Sequence, residues 1–208
     1  MKESLPVVLA SASPARKNLL IQAGVNPTVM SANLNESALF NSLKDKTPQQ
    51  IVAALAEAKA QAVIATNELP LKGLLIAADS MWEFKGELVG KPKDRTDAKK
   101  RISEMSANSG TLHTGHFVMN LASRRFLVEV VSTVVHIDQI TDGEIDDYLA
   151  TEEPLAVAGS FTLNGYGAAY VKSVQGDSNN VIGLSINTVK TLTHALGLNW
   201  SATWNQIS

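Results

Sequence analysis

The chain has 208 residues, 45% of them hydrophobic and 18% charged, with a formal net charge of −2; it can bury a full core as one domain of two lobes or as two small domains, and it lacks the basic excess of a non-specific nucleic-acid binder. There is no cysteine, which excludes disulfides, thiol catalysis and cysteine-ligated zinc. The four histidines, His113, His116, His136 and His194, are not spaced as metal ligands, so a metal would be a hard ion on carboxylates.

From the N-terminus, LPVVLAS (5–11) reads as a strand and PARKNLLIQAGV (14–25) as a helix, with Leu19, Leu20 and Ala23 at helical spacing and Gly24 as its stop. A second β-like piece, PTVMSA (27–32), leads into the polar stretch NLNESALFNSLKDKT (33–47), where Glu36 is a lone acid in a loop. Thr47-Pro48 opens a helix to about Thr66, and KGLLIAAD (72–79) is a buried strand ending at Asp79. MWEFKGELVGKP (81–92) predicts a hairpin around Lys85-Gly86, DRTDAKKRISEM (94–105) a charged surface helix, and residues 111–137 two long strands joined near Ser123-Arg124. Thr141 and Glu144 form a capping box for a helix over 141–150, GAAYVKSV (167–174) reads as a strand, and 181–197 as a strand end followed by a helix. These elements give an α/β class with a mixed sheet flanked by helices. No apolar run is long enough for a secretory segment or a membrane span, so a cytoplasmic protein with no membrane partner is expected.

Three places carry potential chemistry. At the first strand–helix junction, Ser13 then Pro14 fits N-cap followed by N1, and the free N–H groups beyond it, with Arg16 one turn in, would suit an anion; from this stretch alone a capped helix with a solvated arginine is the commoner reading, since such junctions outnumber phosphate sites. Lys59 lies on the apolar stripe of Ile51, Leu55 and Val63, so it either snorkels to the rim or meets an anion. Asp79, at the expected strand end, would hold a metal, take a proton or cap a turn. Lys91 beside Pro92 is a further cation. Arg124-Arg125 and the balanced run KPKDRTDAKKR read as solvated surface.

Taken in order, LASASPARKNLL, ALAEAKAQAV, IAADSMWEFKGELVGKPKD, HTG, EIDDYLATEEPLAVAGSFTLNGYGAAYV and GDSNNVIGLSINTVKTL resemble the Maf family of nucleoside triphosphate pyrophosphatases, from about Pro6 to Gly197. The resemblance implies a single Maf-like domain over 1–208, with two lobes around a deep cleft and a fold related to the inosine triphosphate pyrophosphatases. It also implies hydrolysis of a nucleotide's α–β phosphoanhydride. By motif match it makes Asp79 the proton acceptor, Ser13 and Arg16 the phosphate-binding turn, and Lys59 and Lys91 the remaining cations. Glu36 matches the acid of the family's DE loop and is, with Asp79, the expected ligand of Mg²⁺ or Mn²⁺; Thr114 of HTG is a substrate contact. At Ala15, Ser80 and Asn164, the positions that would set base preference, the chain matches neither the dTTP/UTP-like nor the 7-methyl-GTP-like branch. Two more departures are Asn35 for the aspartate before Glu36 and Ala58 for a glutamate before Lys59. The resemblance allows a homodimer, and links the family to inhibition of septum formation, which makes a nucleotide-sensing regulator the alternative to turnover.

Overall fold

Unbroken apolar runs set the centre of the sheet. In this computed structural model, which describes residues 4–31 and 34–205, strand β1 (Val7–Leu9) is wholly buried and lies parallel to β2 (Thr28–Val29) on one side and β3 (Leu74–Phe84) on the other. A parallel strand covered on both faces has no solvent side, which is why VVL and LLIAA show no polar alternation. Strands β4 (Glu87–Val89), β5 (Ser109–Asn120), β6 (Phe126–Ile137) and β7 (Val171–Gln175) complete a seven-stranded mixed sheet. Its order is β2-β1-β3-β5-β6-β7, with β4 paired antiparallel to β3 and β7 antiparallel to β6.

By Cα packing the chain forms two units. The first contains the chain up to Asp79, Thr114–Val131 and the part from Gly183 on. Its helices are α1 (Pro14–Gln22), α2 (Glu36–Ser42), α3 (Pro48–Thr66) and α8 (Ile186–Ala195). Helix α3 begins in a reciprocal cap, in which Thr47 Oγ1 accepts from Gln50 N–H and Gln50 Oε1 accepts from Thr47 N–H. It then buries Ile51, Val52, Leu55, Ala56, Ala60 and Val63, packing Ala56, Ala60 and Val63 with Val8, Leu75, Ala77 and Phe117 in one apolar cluster. Gly115 lets β5 come close to that helix: a Cβ there would lie 2.2 Å from the Val52 carbonyl oxygen.

The second unit contains Ser80–His113 and Ser132–Ile182. It holds α4 (Arg95–Met105), α5 (Asp142–Ala150), the one-turn α6 (Glu153–Ala156) and the short α7 (Ser178–Ile182). Trp82, Ile102, Met105, Leu112, Val135, Ile145 and Tyr148 make up most of its core. The hairpin at Lys85-Gly86 forms as expected, with both residues at positive φ (51° and 80°), the backbone of a type I′ turn.

Five expectations need correction. Strand β3 continues five residues past Asp79, because Met81-Trp82-Glu83-Phe84 supply another alternating run, so Asp79 is a mid-strand residue. Glu36 is the first residue of α2, whose N-cap is Asn35. Residues 166–170 form a 3-10 turn ahead of β7, and Val181-Ile182 end a helix. The β-like segment 27–32 is a strand only at Thr28–Val29, and its last residue, Ala32, lies outside the described residues, as does Asn33.

Candidate active site

Within the first unit, four charged side chains from four segments converge. Lys59, three turns into α3, reaches Asp79 Oδ1 at 2.5 Å and Glu36 Oε2 at 3.0 Å. Asp79 comes from β3 and is 7% exposed, whereas the Glu36 side chain is 54% exposed. Arg16, on the first turn of α1, is 9% exposed; its Nε donates to the Gly183 carbonyl at 2.8 Å and its terminal Nη1 to Ser11 Oγ at 3.2 Å. The apolar stripe of α3 therefore carries its lysine to two carboxylates, the buried Asp79 and the exposed Glu36, and the snorkelling alternative does not apply.

Local structure explains how each is held. Ser13 is the N-cap of α1: its Oγ accepts the Arg16 N–H at 3.4 Å, while its own N–H donates to Ser11 Oγ at 3.2 Å. Asn35 caps α2 by accepting the Ala38 N–H at 3.0 Å, a task that its amide oxygen performs as an aspartate's would. This places Glu36 at N1, where a negative side chain faces the helix's free N–H groups. Ser11 and Gly183 were not singled out in the sequence. Ser11 lies within LASASPARK, but nothing in a lone serine signals that it will receive an arginine 5 residues on, and Gly183 is distant in sequence.

Burial dominates the ionisation of the two most enclosed groups. It pushes the Asp79 carboxyl above its ordinary value, against the charge and hydrogen bond of Lys59 and the charge of Arg16; Glu36 adds a smaller upward push. Arg16 is held below its ordinary value by burial, with Asp79 and Glu36 opposing. A buried carboxylate kept among cations, with its basicity raised, is the profile of a proton acceptor.

The same arrangement tests the fit of a divalent metal. Glu36 and Asp79 place carboxylate oxygens on one cationic atom, Lys59 Nζ, so they are spaced to share a positive centre. No cluster of three or more His, Cys, Asp or Glu suited to a metal exists among the described residues. Two carboxylates without a protein cage fit Mg²⁺ or Mn²⁺ completed by water and phosphate oxygens, and not structural zinc.

Of the other expected residues, Thr114 is fully buried on β5 and Ala15 is half-buried on α1, both in the first unit. Ser80, Lys91 and Asn164 belong to the second unit. Ser80 is half-buried on β3, Lys91 is exposed just beyond β4, and Asn164 is exposed in a bend over 163–165. A further polar contact in the first unit is His116 Nε2, which accepts the Ser185 N–H at 2.8 Å at the start of α8; that donor places the ring proton on Nδ1.

The family model described as Maf-like protein matches residues 6–196. A protein of Streptomyces avermitilis called nucleoside triphosphate pyrophosphatase is 43% identical over 198 residues, 95% of this chain and 94% of that one. Proteins with the same name from Streptomyces coelicolor (42% over 198 residues; 95% of this chain and 94% of that one) and Trichodesmium erythraeum (38% over 203 residues; 95% and 98%) are similar along nearly their whole lengths.

Proposed function

Because the chain belongs to the Maf-like protein family, we propose that it is a nucleoside triphosphate pyrophosphatase: a hydrolase that cleaves the α–β phosphoanhydride to a nucleoside monophosphate and pyrophosphate. The observation that carries this reading is the pairing of the buried Asp79 with Lys59, flanked by Arg16 and Glu36. The full-length relatives named for the same activity support it.

Water attacks the α-phosphorus in line and gives its proton to Asp79, and the bond to the bridging oxygen breaks with its electrons on the leaving pyrophosphate. Arg16, Lys59 and Lys91 neutralise the charge that develops there. Ser13 and the free N–H groups opening α1 bind phosphate oxygens. Glu36 and Asp79 would hold Mg²⁺ or Mn²⁺, which supplies Lewis-acid polarisation of phosphate when bound. Ala15, Ser80, Thr114 and Asn164 are assigned to substrate contact, and the amide of Asn164, both donor and acceptor, suits a pyrimidine or guanine edge. The chain from 1 to 208 is read as one Maf-like domain, since the family match runs unbroken through segments of both units. Free nucleotides in the cytoplasm are the assigned substrates, with neither nucleic-acid polymer nor membrane as partner; the family resemblance allows a homodimer. No helix among the described residues is long and apolar enough to cross a membrane.

The test is product identity from UTP, dTTP, CTP, GTP and 7-methyl-GTP, each with Mg²⁺ and with Mn²⁺. Release of pyrophosphate from one subset is expected. Orthophosphate in place of pyrophosphate would overturn this reading, since it marks cleavage of the β–γ anhydride; tight binding with product no faster than buffer would make it a nucleotide-sensing regulator of septum formation.

A further inference from the structure

Glu153, the first residue of α6, gathers four donors onto one carboxylate. Its Oε1 accepts from the Tyr148 hydroxyl (3.0 Å), the Thr162 hydroxyl (2.7 Å) and the Gly167 N–H (2.8 Å), and its Oε2 from the Tyr166 N–H (2.9 Å). Thr162 precedes the bend at 163–165 and Tyr166-Gly167 follow it, so both feet of the segment bearing Asn164 are tied to the same group. The two glycines of NGYG answer to that carboxylate and its anchor. A Cβ on Gly165 would lie 2.0 Å from Glu153 Oε2, and one on Gly167 would lie 2.4 Å from the Tyr148 hydroxyl oxygen. Neither glycine has a positive φ, so space and not backbone conformation demands them. Beneath them Tyr148 is 2% exposed and packs its ring against Phe161 and Tyr170. Burial pushes the Glu153 carboxyl up, yet its hydrogen bonds outweigh that and hold it below its ordinary value, which keeps it charged at neutral pH.

An exposed asparagine on an untethered bend would lose rotamer and backbone freedom on meeting a base, which weakens binding. A bend clamped at both feet has lost much of that freedom in advance. We propose that Glu153 is the positioning residue for base discrimination: it touches no substrate, and it holds residues 162–167 so that the Asn164 amide meets one set of base edges. This rests on the substrate role assigned to Asn164 above.

The experiment compares Glu153→Gln, Asn164→Ala and the parent, all in an Asp79→Asn background, by equilibrium binding of UTP, CTP, GTP and 7-methyl-GTP. Glutamine keeps one acceptor oxygen, but its amide nitrogen cannot accept the Tyr166 N–H. The spread between the best- and worst-bound base is expected to shrink on the order of tenfold in Glu153→Gln and in Asn164→Ala. In Glu153→Gln the amides of Tyr166 and Gly167 should also exchange with solvent faster. An unchanged spread, or equal weakening for every base, would overturn the proposal, as would a parent that binds all four alike. Should Glu153→Gln fail to fold, Tyr148→Phe and Thr162→Val each remove one donor, and an undiminished spread in both is equally fatal. Failure of the pyrophosphatase reading is seen separately, as wild-type protein that discriminates bases in binding yet releases no pyrophosphate.

Discussion

Asp79 meets two opposed demands. Burial raises its pKa, which would make it a better base in the proposed reaction, while Lys59 at 2.5 Å and nearby Arg16 pull the pKa down. Asp79→Asn preserves shape and removes basicity, so pyrophosphate release should fall about 10²–10⁴-fold while circular dichroism and the unfolding transition still report a folded chain. Turnover close to wild type would take Asp79 out of the reaction. The ionisation also has a sign. Because the charge and hydrogen bond of Lys59 lower the Asp79 pKa, Lys59→Gln should move the acid limb of the kcat/KM–pH profile to higher pH, whatever happens to its height. A limb that stays put or moves down would mean another group sets it. Arg16→Lys keeps the charge and loses the fork onto Gly183 and Ser11. With buried acceptors left without that donor, it should cost about 1–3 kcal/mol of stability in denaturant titration and raise KM.

At the scale of elements, the legible parts were those with both a period and a stop signal. Helix α3 shows an apolar stripe and a capped start, the β3–β4 hairpin shows Lys85-Gly86, and α5 shows its capping box, so all three form where expected. Helix α2 buries no residue, which leaves periodicity nothing to register; its cap, Asn35, stands in the sequence only as a departure from the aspartate before Glu36, one that lowers the local negative charge. A buried charge looks like a boundary, so the sequence puts a strand end at Asp79, whereas the strand runs on and the charge is matched by Lys59 of α3. Arg16, Lys59, Asp79 and Glu36 were each singled out in the sequence, but Ser11, Gly183 and Glu153 act through partners that no spacing reveals. Element-scale consequences can be separated from chemistry at the cap of α3. Thr47→Ala removes the bond to Gln50 N–H and should cost about 1 kcal/mol, lowering the melting temperature. It should leave kcat unchanged, since Lys59 lies three turns further along. A fall in kcat beyond the fraction unfolded would show that the cap sets the position of Lys59.

At the scale of the whole molecule, the two units carry buried or bonded acids that respond to pH in opposite senses. In the second unit Glu153 has a folded pKa below its ordinary 4.5; burial opposes this, and the hydrogen bonds of Gly167, Thr162, Tyr166 and Tyr148 produce it. Its contribution to stability is therefore present above pH 4.5 and is lost as the pH falls through the lower folded value. Asp97, lowered from 3.8 by the Lys93 N–H and by Arg101, acts in the same direction at lower pH. In the first unit Asp79 has a folded pKa above 3.8, so the native state holds its proton more tightly than the unfolded chain does. Its contribution is full below pH 3.8 and declines as the pH rises through the folded value. Melting temperatures of wild type, Glu153→Gln and Asp79→Asn, followed from about pH 3 to neutrality, separate the two. The advantage of wild type over Glu153→Gln should be full at neutral pH and vanish on acidification below 4.5. Asp79→Asn, which cannot ionise, should instead gain on wild type as the pH rises above 3.8. If both differences changed with pH in the same direction, burial would not be the dominant influence on Asp79. Lys59 would then outweigh it, and the residue proposed to accept the proton from water would be too weak a base for that role.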